Sequence, residues 1–292
     1  MGETGFQDAA ASLLTDYSLE MTGKDVDALV EARAAIPAGT RINVTFLGNE
    51  DLEMRVTAVR AVLDNGFLPV PHLSARRLQS VAQLEEYLRR LQDIGGSERV
   101  FLVGGDPAEP EGPFADALSV IRTGVLPTYG VREVGVTGYP EGHPDIADDV
   151  LQQALIDKCA EIAAQRLEAS VTTQFAFATD PVVDWIRRAR SAGVDAPIRV
   201  GVPGPAGVKR LLAFARRFGV GANATIVRKY GFSLTNLVGT AGPDRFVTDL
   251  TRMLRTEPAG DVKLHLYTFG GLEASARWVT AFRRGESAKR TD

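Results

Sequence analysis

The chain has 292 residues, 45% of them apolar and 24% charged, a balance ordinary for a soluble globular protein and large enough for one α/β domain. Its net charge of −4, with basic residues gathered only in the tail RRGESAKRTD, argues against nucleic-acid binding, and no apolar run reaches the ~18 residues a membrane span needs. A single cysteine, Cys159, excludes an internal disulfide and fits a reducing cytoplasm; the acidic N-terminus MGETGFQDAAASLLTDY does not read as a secretory leader.

Taken in chain order, β-rich runs alternate with helical patterns. YSLEM (17–21) precedes the helical DVDALVEARAAI, and RINVTFL (41–47) precedes EDLEMRVTAVRAVLDNG, which ends in an Asn-Gly stop. FLPVPHL (67–73) leads into SARRLQSVAQLEEYLRRLQDIGG, where Ser74 is the expected N-cap and Gly95 the C-cap. RVFLVGG (99–105) and PFADALSVIRTG come next, then REVGVTGY (132–139) and DIADDVLQQALIDKCAEIAAQRL, whose pattern assigns Cys159 to core packing. ASVTTQFAF (169–177) is followed by TDPVVDWIRRARSAG, with Asp180 as cap and Pro181 as first helical residue. APIRVGVPG (196–204) is followed by PAGVKRLLAFARRFG and FSLTNLVGTAGPDRFVTDLTRMLRT; VKLHLYTF (262–269) and ASARWVTAFRR close the chain.

Nearly continuous apolar runs are expected of parallel strands covered on both faces. Eight β/α units at this period fit a single-domain (β/α)₈ TIM barrel over residues 1–292, with 1–14 and 284–292 expected to fray. A doubly wound sheet fits less well, because VGVPGPAG comes late and no early strand carries a G-x-G-x-x-G turn. In a barrel, the C-terminal strand ends converge on one mouth. Glu20, Thr45, His72, Asp106, Tyr139, Glu141, His143, Gln174, Tyr267 and Thr268 stand at or just beyond such ends. Glu20, between Leu19 and Met21, is the most informative: a carboxylate buried there would have a raised pKa and suit a general acid. His72, Asp106 and His143 could in principle ligate a metal, but no local ligand motif supports one. His265, mid-strand, reads as a satisfied interior residue.

The strings YSLEM, NVTF, PHL, GGD, GYPEGHPD and TTQFAF, one per strand and in order, resemble the methylenetetrahydrofolate reductase family; APIRVGVPG and LHLYT extend the resemblance over roughly residues 15–280. The resemblance implies a (β/α)₈ barrel that reduces 5,10-methylenetetrahydrofolate to 5-methyltetrahydrofolate with NADH or NADPH, usually through FAD. It places the acid that opens the folate's imidazolidine ring on Glu20 and the pterin-facing aspartate on Asp106. Gln174, Phe175 and Tyr267 fall with the substrate. Thr45, His72, Gly105, Tyr139 and His143 fall with the cofactor.

Departures cluster on the flavin side. Gly104 stands where the family has an Arg before Gly-Asp, MTGKD replaces the FEFFPP tail, and EIAAQRLEA replaces an AKVDAGA-like run. Arg166 or Lys158 could supply the lost cation. The asymmetry favours direct hydride transfer from NAD(P)H to folate without bound FAD. The alternatives are an FAD-dependent reductase, a folate-binding barrel that serves a methyl-transfer partner, and a divergent barrel acting on another one-carbon or amine substrate. NADH-versus-NADPH preference and oligomeric state are not legible.

Overall fold

A computed structural model describes residues 10–217 and 240–286. In chain order the elements are β1 (Ser18–Met21), α1 (Val26–Ala32), β2 (Arg41–Val44), α2 (Leu52–Asp64), β3 (Leu68–Ser74), α3 (Val81–Asp93), β4 (Arg99–Val103) and α4 (Ala117–Ile121). They continue with β5 (Glu133–Gly138), α5 (Asp148–Ala164), β6 (Glu168–Thr173), α6 (Thr179–Ser191), β7 (Ile198–Pro203), β8 (Ala206–Gly207) and α7 (Val208–Arg217). Then come β9 (Thr240–Ala241), α8 (Asp244–Leu254), β10 (Val262–Tyr267) and α9 (Leu272–Arg283). Eight of the strands close into a parallel barrel in the order β1-β10-β7-β6-β5-β4-β3-β2, while β8 and β9 form a small antiparallel pair outside it. Among the described residues no helix is long and apolar enough to cross a membrane.

Strand alternation explains the closure. Leu19 and Met21, Ile42 and Val44, Val100 and Leu102, Val134 and Val136, and Leu264 and Leu266 are essentially unexposed and lie in one continuous apolar cluster beneath the helices. Residues of the other parity turn into the lumen. At its N-terminal end the lumen is plugged by ions. Arg41 Nη1 lies 2.7 Å from both Glu133 carboxylate oxygens, across the barrel, and Arg99 Nε is 3.6 Å from the same carboxylate. Arg199 meets the Asp16 carboxylate at 2.5 Å and donates to the Asp16 carbonyl as well. Burial first, and Arg41 second, push the Arg199 pKa down. Above this plug Phe101 fills the lumen, and Gly135 makes room for it: a Cβ there would fall 2.6 Å from the ring.

Four local expectations need correction. The stretch 74–96 is not one helix. Ala75–Arg77 is a 3₁₀ turn, Leu78 is extended (φ −83°, ψ 115°), and α3 starts after Ser80, whose side chain accepts from the Gln83 N–H; Ser74 belongs to β3. Likewise α6 begins at Thr179 behind Ala178, so Asp180 lies in its first turn rather than capping it. Residues 10–14 are not frayed, because Leu13 and Leu14 are buried in the core. Of the long pattern over 232–256, residues 232–239 lie outside the described residues, and the described part begins with a short strand at Thr240–Ala241 before the helix Asp244–Leu254.

Glu133 is the carboxylate shared by two half-buried lumen arginines, so Glu133→Ala leaves Arg41 with Asp16 at 3.8 Å and Arg99 with Glu98 at 2.9 Å. The expected loss is about 1–3 kcal/mol in urea unfolding. An unchanged midpoint would show that the plug is not what closes this end.

Candidate active site

Glu20 reaches the lumen because Leu19 and Met21 take the outward positions on β1. Its side chain is 22% exposed, half-buried rather than sealed. One of its oxygens lies 3.6 Å from Nε2 of His265, a residue with no exposure at all. The other ring nitrogen, Nδ1, is 2.8 Å from the Ser18 hydroxyl. Register explains the contact: β1 pairs with β10 so that Ser18 stands opposite His265. Thr268 Oγ1 donates to the Glu20 carbonyl at 2.6 Å and fixes the strand at that point. His265 is therefore interior, as expected, but it is the side chain against which the Glu20 carboxylate rests. The signal was present in the sequence: Lys263, His265 and Tyr267 alternate along β10 with apolar partners, the pattern of a polar lumen face.

The same mouth holds His72, Tyr267 and Tyr139. His72 is buried and tilted against Phe101 with ring centres 4.7 Å apart. Burial lowers its pKa to about 4; the Glu20 charge acts in the opposite sense and His265 adds to the lowering. His72 is thus neutral at neutral pH. Tyr267 sits edge-on to His265 at 4.8 Å and donates to the Thr173 carbonyl at 3.1 Å. Burial, then the charges of Glu20 and Tyr139, push its phenol well above the ordinary range. Tyr139 stacks edge-on with His143 at 5.5 Å, and His143 Nδ1 accepts from the Asp145 N–H at 3.1 Å.

Three buried polar atoms at this end, Thr45 Oγ1, His72 Nε2 and His265 Nε2, have no hydrogen-bond partner. Buried polar groups are usually paired with protein, water or a ligand, and these three stand together at one end of the lumen. Gln174 is half-buried, its side-chain oxygen accepting from the Phe175 N–H at 3.1 Å. Phe175 itself is 2% exposed and packs edge-on against Phe177, Tyr267 and Phe269, so it supports the wall rather than lining it.

Asp106 lies on the β4–α4 loop with its side chain 77% exposed, and its carboxylate receives a two-pronged contact from Arg77 at 2.8 Å on each oxygen. Gly105 before it has φ +100°, and a Cβ there would fall 2.4 Å from Ser74 Oγ, so this position requires glycine. The loop is held from the 3₁₀ turn that follows the neighbouring strand: Arg76 donates to the carbonyls of Pro107, Ala108 and Ala115. The helical reading of SARRLQS concealed both arginines. Of the proposed substitute cations, Arg166 falls between α5 and β6, at the end of the barrel opposite the mouth. Lys158 is buried at the α4–α5 contact, its pKa lowered by burial. Neither reaches the site. Among the described residues no three His, Cys, Asp or Glu side chains come together as a metal-ligand set.

The methylenetetrahydrofolate reductase family model matches residues 14–278, all eight barrel strands included. The chain belongs to this family. A curated relative, methylenetetrahydrofolate reductase 2 of Saccharomyces cerevisiae, is 29% identical over 133 residues, covering 42% of this chain and 21% of the yeast protein; the aligned stretch is thus about a fifth of the relative's length. Among solved structures, an uncharacterized protein from Clostridium thermocellum that binds two copies of 5-methyl-5,6,7,8-tetrahydrofolic acid superposes with TM-score 0.63 at 13% identity, covering 97% of this chain and 99% of that one. Dihydropteroate synthase from Thermus thermophilus, in complex with 6HMPPP, gives TM-score 0.52 at 13% identity over 95% and 94%. These structural likenesses establish a shared barrel fold.

His72 supplies a pH test. Its folded pKa of about 4 lies below the ordinary 6.5, so the unfolded chain binds more protons between those values and stability falls as pH drops through that window. About 3 kcal/mol should be lost between pH 7 and pH 4 from this group. Replacing His72 with Gln should remove that component from a series of urea titrations; an unaltered pH slope would contradict it.

Proposed function

We propose that this protein reduces 5,10-methylenetetrahydrofolate to 5-methyltetrahydrofolate, taking the hydride directly from NADH or NADPH, with Glu20 as the general acid. The observation that carries the reading is the half-buried Glu20 carboxylate facing His265 in a mouth with three orphaned polar atoms. Family membership supplies the substrate class.

The chemistry demands an acid here. A methylene carbon bridging two amine nitrogens is not a hydride acceptor until one C–N bond breaks. Protonation of the leaving nitrogen by Glu20 opens the imidazolidine ring and leaves a cationic iminium carbon on the other nitrogen. Hydride from the nicotinamide then completes the methyl group, and the oxidised nucleotide departs. Glu20 regains its proton from solvent, with which it is still in contact. His265 orients the carboxylate, and the Ser18 hydroxyl fixes the imidazole. Asp106 accepts from the pterin's amino edge, Gln174 contacts the folate, and neutral His72 with Thr45 offers hydrogen bonds to the nicotinamide carboxamide.

The residues do not fit a flavin's pyrophosphate half as the family usually holds it. Gly104 replaces a cation, and among the described residues three arginines are engaged within the chain: Arg76 with loop carbonyls, Arg77 with Asp106 and Glu111, and Arg210 with the Phe269 carbonyl. Charge-assisted contacts are worth about 1.5–3 kcal/mol each, so losing them weakens a dianion's hold considerably. A nucleotide co-substrate that binds and leaves each turnover needs a weaker hold than a resident cofactor.

Two expected outcomes follow from this chemistry. Purified protein shows no flavin band in the visible spectrum and oxidises NADH only when methylenetetrahydrofolate is added; a yellow protein whose flavin is required for turnover would overturn the direct route. Glu20→Gln keeps folate affinity but loses about 10²–10⁴ in turnover. Full activity in that variant would remove Glu20 from the mechanism, and a wild-type protein that binds folate without turnover would mark a carrier.

A further inference from the structure

The Arg77–Asp106 pair lies in the site assigned above to the pterin, and its geometry suggests a purpose beyond stability. Arg77 brings two donors to the Asp106 carboxylate: Nε lies 2.8 Å from one oxygen, and Nη2 lies 2.7 Å from that same oxygen and 2.8 Å from the other. The 2-amino group and adjacent ring N–H of a reduced pterin offer the same two-pronged donor edge. One carboxylate face cannot accept both forks together. A second carboxylate stands ready: Glu111 Oε1 lies 3.4 Å from Arg77 Nη1, on the far side of the guanidinium. The guanidinium also rests on backbone. A Cβ at Gly48 would fall 2.4 Å from Nη1, so the plane of Arg77 lies flat against the β2–α2 loop. Residues from two loops therefore define where this side chain can go.

We propose that Arg77 is a positioning residue that mimics the pterin edge, holding Asp106 in its accepting orientation and moving to Glu111 when substrate arrives. This deepens the functional reading and rests on its assignment of Asp106 to the pterin. In the substrate-free protein the Asp106 carboxylate is pre-oriented by Arg77 instead of turning freely in water. On binding, the pterin's two N–H groups take the place of the two guanidinium N–H groups, and Arg77 keeps a charge partner in Glu111. The exchange leaves the number of charge-assisted hydrogen bonds nearly constant. A ligand with a single donor at that edge could not replace the fork, so the arrangement selects for the two-donor pterin.

The test is calorimetric titration of the wild type, R77A, E111Q and the double variant with 5-methyltetrahydrofolate, with D106N as control. Arg77 competes for Asp106, so R77A should bind about two- to fivefold more tightly, the range an exposed ion pair spans. E111Q should bind more weakly by a similar factor, because the displaced guanidinium loses its destination. In the R77A background E111Q should have no effect, the coupling that a double-mutant cycle isolates. A merely structural Arg77 would give weaker binding in R77A, and independent effects of the two substitutions would likewise overturn the proposal. Should D106N bind folate as well as the wild type does, the assignment of Asp106 to the pterin fails first, and the exchange with it.

Discussion

The contact between the Glu20 carboxylate and the His265 imidazole is the interaction on which the site depends. It exists because two neighbouring parallel strands, β1 and β10, turn the same parity inward, and because Ser18 fixes the far nitrogen of the ring. A carboxylate free in water has no preferred direction. One set 3.6 Å from a wholly buried imidazole has a defined direction, and in the proposed reduction that is where the proton is delivered. Burial sets the neighbours: it keeps His72 neutral against the pull of the Glu20 charge, and it keeps the Tyr267 phenol protonated. His72 is thus a neutral imidazole and Tyr267 a phenol at neutral pH.

The lumen divides into two ends with opposite chemistry. At the N-terminal end, Arg41, Arg99 and Arg199 are met by Glu133 and Asp16, and the ions close the barrel. At the C-terminal end, buried polar atoms are left without protein partners. Between them Phe101 fills the space that Gly135 vacates. Barrels generally keep stability at the first end and chemistry at the second. Here the first end holds paired charges, with Arg99 Nε lacking a hydrogen bond, and the second holds Thr45 Oγ1, His72 Nε2 and His265 Nε2 without one; in the proposed function the second end takes the substrate and the nucleotide.

The barrel was legible because its strands are short apolar runs separated by strongly periodic helices, and each of the eight runs became a strand with ends displaced by a few residues at most. The helical reading of 74–96 failed because SARRLQS has the composition of a helix while Ser80, not Ser74, provides the capping oxygen. That failure hid Arg76 and Arg77, which organise the Asp106 loop from the 3₁₀ turn that follows the adjacent strand. His265 was placed correctly in the interior, but its neighbour across the β1–β10 register is a long-range fact that no local pattern contains. Conversely, Arg166 and Lys158 looked suitable by sequence proximity, and topology removes both: one turns at the opposite end, the other is buried beside α4. Phe175 shows the same limit on a smaller scale, since a strand-end position does not determine whether a ring faces the ligand or the wall behind it.

The proposed reduction imposes a spatial requirement: the leaving nitrogen of the folate and the carboxyl of residue 20 must meet. A crystal structure of the Glu20→Gln variant with methylenetetrahydrofolate bound addresses it most directly. We predict the residue-20 carboxamide within hydrogen-bond distance of the bridging nitrogens, with His265 behind it and the amino edge of the pterin on Asp106. A folate seated with its imidazolidine ring remote from residue 20 would contradict it.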